Sequence, residues 1–403
     1  MKQNYFMGLI ACAALTMTGC SNDEINAPQQ SQGNNAIEFS TYLGRNAQGS
    51  RGTETNDASI KSDIKSENSG FGVLAYYTKQ DDFNITNHTP NFMWNQQVTY
   101  KGTNWVYTPV KYWPTKVKDK VSFFAYAPYV ASGNANGIVL SGNSATGAPT
   151  ATITLPDDPS NTIDFVAAVQ MNKTHDNSEN ANNNVSFTLK HEMTRVGIKA
   201  KLDEEVYAGT GNKVKTFVVI KDVKINDAST GGEFYNSGVY TFPTANDSRG
   251  TWAPNANTST YTLDLNGVLN KTKIIANGAN GATESGDYQA GVYGIKLTNA
   301  KAENLFKTNE YVFLIPVTNG LTSGKATATI AYDIVTEDDK LAAGYSCSTA
   351  TKEVNLPAGT LKQGEAYIYT FTIKLNEVKL TATVDTWKET DHNTDINYND
   401  TDK

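Results

Sequence analysis

Apolar and polar residues alternate with a period of two along several short stretches of the chain, a pattern that predicts strands with one buried face. In residues 36–43, Ile37, Phe39 and Leu43 fall on the predicted buried face. Two adjacent stretches near the C-terminus show the same alternation. The first buries Tyr367, Tyr369, Phe371, Ile373 and Leu375, and the second, after a turn at 376–377, buries Val378, Leu380, Ala382 and Val384.

Further strands are predicted in two groups, and long helical patterns are absent. The earlier group comprises residues 71–77, 121–126, 163–169, 185–190 and 195–200. The later group comprises residues 217–225, 311–317 and 326–334. Residues 71–77 are apolar nearly throughout, as expected of a strand covered on both faces. In residues 217–225, we expect the side chains of Phe217, Val219, Val223 and Ile225 to share one face.

These elements predict an all-β protein built of two β-sandwiches. The predicted N-terminal domain spans residues 36–205, and the C-terminal domain spans residues 206–403. Residues 44–69 are polar, with few large apolar side chains, and predict an exposed, mobile loop.

Composition excludes several classes of function. The 403 residues include 34 basic and 41 acidic side chains, for a formal charge of −7, and no basic run stands out. This balance argues against nucleic acid as a partner. Once the N-terminal segment is removed and Cys20 is modified, as argued next, Cys347 stands alone, so no disulfide within the chain is expected.

The N-terminus has the pattern of an export signal. Lys2 precedes a short apolar run at 6–15, too short to span a bilayer, and Met-Thr-Gly-Cys follows at 17–20. This arrangement resembles the bacterial lipobox, which implies a signal peptide at 1–19, lipidation (including palmitate) of Cys20, and membrane attachment through that lipid. The alternative is an ordinary secretory signal with an incidental cysteine. Residues 20–35 predict a tether, and its acidic start at 21–24 resembles a surface-export signal.

Two neighbouring motifs point to a family. They are Lys-Tyr-Trp-Pro at 111–114 and Phe-Phe-Ala-Tyr-Ala-Pro at 123–128. Weaker pieces agree at 37–51, 71–76, 187–196 and 381–387. On these residues the chain resembles the fimbrillin-type (Mfa-like or FimA-like) fimbrial subunit family of anaerobic Gram-negative bacteria.

The resemblance implies two tandem transthyretin-like antiparallel β-sandwiches, in a subunit of surface fimbriae that is exported as an outer-membrane lipoprotein precursor. An arginine-specific protease would cut after Arg51, or after Arg45, and remove the strand within 36–51. The donor strand at 376–387 of another subunit, identical or different, would then fill the vacated groove. Ligands on host or bacterial surfaces are compatible with such a role.

No catalytic constellation is evident, and we expect neither enzyme activity, nor a cofactor, nor a metal. The histidines are far apart in sequence, at His88, His175, His191 and His392. His191 is expected to be packed or hydrogen-bonded. The main rival is a monomeric surface glycan-binding lipoprotein using Trp94 and Trp105, with Trp113 assigned to the core. A fimbrial tip or anchor subunit, rather than a stalk subunit, also stays open.

Overall fold

The computed structural model describes residues 35–43, 55, 57–61, 70–116, 118–131, 137–175, 183–203, 216–257, 259–273, 293–297, 300–308, 310–337, 340–341, 345–374 and 377–385. Within these residues the chain is nearly all strand and turn, which confirms the all-β prediction. One short α-helix, α1 (Asp57–Lys61), interrupts the strands, together with brief 3₁₀ turns at Pro159–Asn161 and Leu265–Gly267.

The strands are numbered in chain order. Those before residue 205 are β1 (Glu38–Tyr42), β2 (Phe71–Lys79), β3 (Met93–Lys101), β4 (Asn104–Val106), β5 (Lys120–Ala127), β6 (Ile138–Leu140), β7 (Thr150–Thr154), β8 (Val166–Lys173), β9 (Asn184–Thr188), β10 (Lys190–His191) and β11 (Thr194–Leu202). Those after it are β12 (Thr216–Asp227), β13 (Ser237–Thr241), β14 (Thr251–Pro254), β15 (Thr262–Asp264), β16 (Thr272–Lys273), β17 (Tyr293–Leu297), β18 (Glu303–Asn304), β19 (Val312–Leu314), β20 (Ala326–Glu337), β21 (Tyr345–Asn355), β22 (Ala366–Ile373) and β23 (Val378–Asp385).

A six-stranded sheet in the order β10-β8-β5-β2-β3-β4 is covered on both faces. Phe71, Val73 and Ala75 of β2 face one core cluster, which also contains β1 and β9. Leu74 and Tyr76 face the other cluster, which continues into the later strands. The two-sided burial explains why this strand is apolar nearly throughout, as predicted from its sequence.

Most of the later strands belong to two further sheets, one of which also contains β11. One has the order β18-β11-β22-β23, with β19 also paired to β11, and the other has the order β16-β17-β12-β20-β21, with β15 paired to β12. β22 lies between β11, to which it is parallel, and β23, to which it is antiparallel. The other sheets among the described residues are a four-stranded sheet in the order β14-β13-β7-β6 and the two-stranded pair β1-β9.

Two sheets draw strands from both sides of the predicted domain boundary. β11 pairs along its length with β22, and β7 pairs with β13. The division at 205/206 stays a prediction, but hydrogen bonding joins β11 to the later strands.

Three local expectations were wrong. The register between β12 and β20 slips at Lys221, so Val218 and Ile220, rather than Phe217 and Val219, share a core with Val223 and Ile225. The region 44–69 is not wholly an exposed loop, because Thr55 is buried and Ile60 of α1 packs in the core with β1. The strand expected at 163–169 begins at Val166.

Candidate functional site

The first strand, β1, lies in a groove whose two edges are formed by separate parts of the chain. On one edge, β1 runs parallel to β9, with Phe39 opposite Val185 and Thr41 opposite Phe187. On the other edge, the N–H of Ile37 donates to the carbonyl of Lys111 over 2.9 Å. The N–H of Trp113 donates to the carbonyl of Asn35 over 2.8 Å. β1 is therefore held along one side by its ladder with β9, and the residues just before it are held on the other side by Lys111 and Trp113; these backbone hydrogen bonds depend little on side-chain identity.

The floor of this groove is aromatic. The ring of Phe39 packs against four others, at centroid separations that are typical of stabilising aromatic pairs. These separations are 5.2 Å to Tyr107, 5.9 Å to Phe123, 5.9 Å to Phe187 and 6.4 Å to Phe71. Ile37, Phe39 and Leu43 are all buried, as their alternation predicted. Their burial contributes on the order of 5–8 kcal/mol as an upper bound.

The family-like motifs frame this groove. Lys111 and Trp113 supply its backbone edge, and the buried side chain of Trp113 packs on Phe123 with ring centroids 5.8 Å apart. Phe123 and Ala125 belong to the groove cluster, whereas Phe124 and Tyr126 face the opposite core. Lys111, Trp113, Phe123 and Ala125, which belong to the two motifs that carry the resemblance, thus line the groove that holds β1.

Polar side chains fasten β1 as well. The hydroxyl of Tyr107 donates to the carbonyl of Ile37 over 2.9 Å, and the amide of Asn184 donates to the hydroxyl of Ser40 over 2.8 Å. Burial raises the pKa of Tyr107 to about 12, so its hydroxyl is a protonated donor at physiological pH. Sequence reasoning did not identify Tyr107, because its partner is a backbone atom 70 residues away in the chain.

The C-terminal end of β1 is held by helix α1. The N–H of Leu43 donates to Oδ1 of Asp57 over 2.9 Å, and Ile60 of the same helix is buried beside Leu43 in the groove cluster. Burial raises the pKa of Asp57, opposed by smaller effects of Lys61 and of the Leu43 N–H. Asp57 therefore ties the residue that follows β1 to α1.

A second anchor lies just before this helix. The N–H of Thr55 donates to Oδ2 of Asp164 over 2.9 Å, and its hydroxyl donates to the Asp164 carbonyl over 2.6 Å. Nδ1 of His191 lies 2.8 Å from the same Oδ2. Asp164 is fully buried, so both contacts are shielded from water. The expectation that His191 is hydrogen-bonded is confirmed.

The predicted donor strand, β23, lies at the edge of its sheet. Among the described strands it hydrogen-bonds with β22 alone. The alternation predicted a buried face here, which is wrong for its C-terminal end: Val378 is buried, Leu380 and Ala382 are half-buried, and Val384 is 67% exposed. An apolar edge strand with this exposure favours pairing with another chain.

An ion pair closes the end of β23. Nη2 of Arg195, in β11, lies 2.9 Å from Oδ2 of Asp385, and its guanidinium lies 4.3 Å from the ring centroid of Tyr311. Arg195 reaches Asp385 across β22, because Arg195 and Asp385 both pair with Ala366. This pair was not foreseen from the sequence, since it joins positions 190 residues apart.

Three predicted site residues, Cys20, Arg45 and Arg51, lie outside the described residues, and so does His392. The other histidines are separate: His175 contacts Asn183 and His88 contacts Asn84. Within the described part of the chain, no group of metal-ligating side chains is present. No helix among the described residues is both long and apolar enough to cross a membrane.

The tryptophans considered for sugar binding are engaged in packing. Trp113 is buried, and Trp94 is half-buried, with its Nε1–H donating to the carbonyl of Ser141 over 3.2 Å. Trp105 is half-buried against Phe71, with ring centroids 4.9 Å apart. The described residues place these three side chains in no shared open site.

Together, the fold and the groove define a class: an all-β protein in which an early strand fills a slot framed by distant parts of the chain. The chain matches the fimbrillin-like family over residues 58–387. It is 32% identical over 401 residues to the fimbrium subunit Fim1C of Phocaeicola vulgatus, covering 96% of this chain and 98% of that protein. It also matches the crystal structure of a fimbrial protein from Bacteroides vulgatus, with a TM-score of 0.70 and 30% identity, over 88% of this chain and 100% of that one.

The chain therefore belongs to the fimbrillin-like family, as the motifs indicated. The relatives are fimbrial proteins, and membership in this family confirms the expectation that the chain is not an enzyme.

Proposed function

We propose that this protein is a structural and adhesive subunit of surface fimbriae, which reaches the outer membrane as a precursor lipidated on Cys20. A protease cuts after Arg51, with Arg45 as the alternative, and frees β1 from the rest of the chain. The donor strand of another subunit then replaces β1 in the groove. Fimbrial relatives and the surface location that such a role implies support the proposal.

The observation that supports this proposal most is the way in which β1 is held in its groove. The segment 35–43, which contains β1, is bound by a backbone ladder to β9 on one edge, by two backbone hydrogen bonds at its N-terminal end on the other, and by three buried apolar side chains, so another strand of similar pattern can replace it. Both candidate arginines lie between Leu43 and Thr55, which are each anchored to the body of the protein. A cut between these anchors separates β1 covalently while leaving α1 attached to the rest of the chain.

A stalk position is favoured over a tip position by β23. A strand that hydrogen-bonds through its backbone with β22 alone among the described strands can leave its sheet by breaking one ladder, together with the ion pair between Asp385 and Arg195. The glycan-binding alternative gains no comparable support, because the described tryptophans are packed or half-buried.

The test is to treat the purified full chain with an arginine-specific protease and to follow SDS-resistant ladders on gels. Ladders should form, and the N-terminus of the laddered material should be Gly52. Arg51→Ala should abolish the ladders, whereas the matched variant Arg45→Ala should leave them unchanged. Laddered material that still began at Cys20, or ladders that required no protease, would contradict the proposal. Palmitate labelling of the wild-type chain and of Cys20→Ser tests the lipid.

A further inference from the structure

A strand that replaces β1 in the groove must bury apolar side chains at particular positions, and the size of side chain that fits differs between these positions. The segment 37–43, which contains β1, presents buried apolar side chains at Ile37, Phe39 and Leu43, while the intervening Thr41 is only half-buried. Counting from the first, the apolar sites lie at offsets of zero, two and six residues. A replacement strand must match both this spacing and the sizes of the sites.

We propose that the strand that replaces β1 in the groove is β23 of a second copy of this chain, and that it runs parallel to β9, in the direction of β1. This inference rests on the proposed function. Val378 takes the site of Ile37, Leu380 takes that of Phe39, and Val384 takes that of Leu43. Ala382 then lies at the position of Thr41.

The spacing restricts the alternatives to two. For a strand running in the direction of β1, only Val378, Leu380 and Val384 place apolar residues of β23 at all three sites. For a reversed strand, only Val384, Ala382 and Val378 do so. The two orientations share their end sites and exchange Leu380 with Ala382 between the two middle positions.

The sizes of the side chains favour the strand that runs in the direction of β1 over the reversed strand. The Phe39 site is the largest, since four aromatic rings surround it. A leucine fills much more of that space than an alanine, and an underfilled core site leaves a destabilising cavity. In the reversed orientation Ala382 would leave the large site nearly empty, while Leu380 would crowd the site of Thr41.

Polarity at the Thr41 position supports the same orientation. Oγ1 of Thr41 is buried and has no hydrogen-bond partner among the described residues. An unpaired buried hydroxyl is unfavourable, so Ala382 at this position removes a cost that β1 carries. At this position, β23 in the parallel register therefore fits the groove with a lower free-energy cost than β1 does.

The backbone of the groove also favours the direction of β1. The ladder with β9 is parallel, and parallel and antiparallel ladders place their hydrogen bonds differently along the strand. A strand in the same direction reproduces the bonds with β9 and with Lys111, because only backbone atoms take part. In its own sheet β23 leaves Val384 exposed, so transfer to the groove buries apolar surface that is now open to water.

Disulfide trapping distinguishes the two orientations. In the parallel register Lys379 takes the place of Glu38, opposite Asn184, whereas in the reversed register it takes the place of Tyr42, opposite Thr188. Lys379 is exposed, and paired positions in neighbouring strands lie within the reach of a disulfide. We would prepare Lys379→Cys in one batch of full chain, and Asn184→Cys or Thr188→Cys in another, all carrying Cys347→Ser.

The batches are mixed, treated with the protease, oxidised and digested, and linked peptides are identified by mass spectrometry. The expected result is that the Lys379→Cys chain links to the Asn184→Cys chain at least tenfold more than to the Thr188→Cys chain. Omission of the protease should abolish this linkage. Preferential linkage to the Thr188→Cys chain, or ladders with neither linkage, overturns the inference but leaves the proposed assembly standing. If the Cys347→Ser chain forms no ladders after protease treatment, the proposed assembly itself is contradicted.

Discussion

The ring of Phe39 stacks on that of Phe187, with centroids 5.9 Å apart and ring planes inclined by 23°. The two residues belong to parallel neighbouring strands that lie 148 positions apart in the chain (187 minus 39). This contact joins the first strand of the structure to the wall of the groove that holds it.

Replacing Phe39 with alanine should destabilise the intact protein by about 3–5 kcal/mol, because it empties the aromatic centre of the groove. Urea denaturation of both proteins measures the difference. Glu38→Ala, on the exposed face of the same strand, serves as the matched control and should change stability by less than about 0.5 kcal/mol. Equal effects of the two substitutions would contradict the burial argument.

Asp57 should make stability depend on pH in the direction opposite to that of most carboxylates. Burial raises its pKa above the usual 3.8, so the protonated form is favoured in the folded state. Its contribution is fully present below the unfolded-state pKa and is lost as the pH rises through the folded-state pKa. The stability of wild type minus that of Asp57→Asn should therefore increase as the pH falls from 7 towards 4.

This difference is measured by urea denaturation of both proteins at several pH values. Subtracting the two curves removes the contribution of the other carboxyl groups. A difference that decreased on acidification would show that the hydrogen bond from Leu43, rather than burial, dominates the titration of Asp57.

Thr55→Val should weaken the anchor that follows the candidate cleavage sites. The substitution removes the hydroxyl that donates to the Asp164 carbonyl and leaves that buried acceptor short of a partner, at a cost of about 1–3 kcal/mol. Limited proteolysis at Lys61, in α1, should become faster. Thr351→Val, at an exposed position of β21, is the control and should leave the rate unchanged.

Asp385→Asn should loosen the end of β23. The pair with Arg195 is partly exposed on the carboxylate side, so its loss should cost about 1 kcal/mol, or roughly fivefold in the opening equilibrium. Hydrogen exchange of the amides in β23 measures that opening. Glu377→Gln, at the exposed opposite end of the strand, should have a smaller effect. A larger effect there would place the main restraint at the turn into β23.

The strands that carry a clear alternation could be predicted from the sequence, because burial on one face is a local pattern. Ile37, Phe39 and Leu43 in and beside β1 and Tyr367, Tyr369 and Phe371 in β22 are buried as expected. The pattern failed at Lys221, where a slip in register exchanges the two faces of β12. Such a slip depends on the neighbouring strand, so the sequence of β12 alone does not reveal it.

The partners of each strand could not be predicted in the same way. The parallel pairing of β1 with β9 and of β11 with β22 joins distant segments, and nothing local to either segment specifies it. The restraints at Asp57, Thr55 and Asp385 were missed for the same reason. Acidic residues and threonines are common in turns and at helix starts, so their types do not distinguish an anchor from a solvated side chain.

The bond between Leu43 and Asp57 has a consequence for the timing of assembly. While residues 44–54 are intact, β1 is attached to the body of the protein, and after any excursion it rebinds at an effective concentration in the millimolar range. A cut between the anchors breaks none of the described contacts in the groove, but it turns rebinding into a bimolecular event that dilution opposes. Before the cut, occupancy of the groove by β1 would not depend on the concentration of subunits, and after the cut it would. The protease would thus set the time of this change without altering the contacts that β1 makes in the groove.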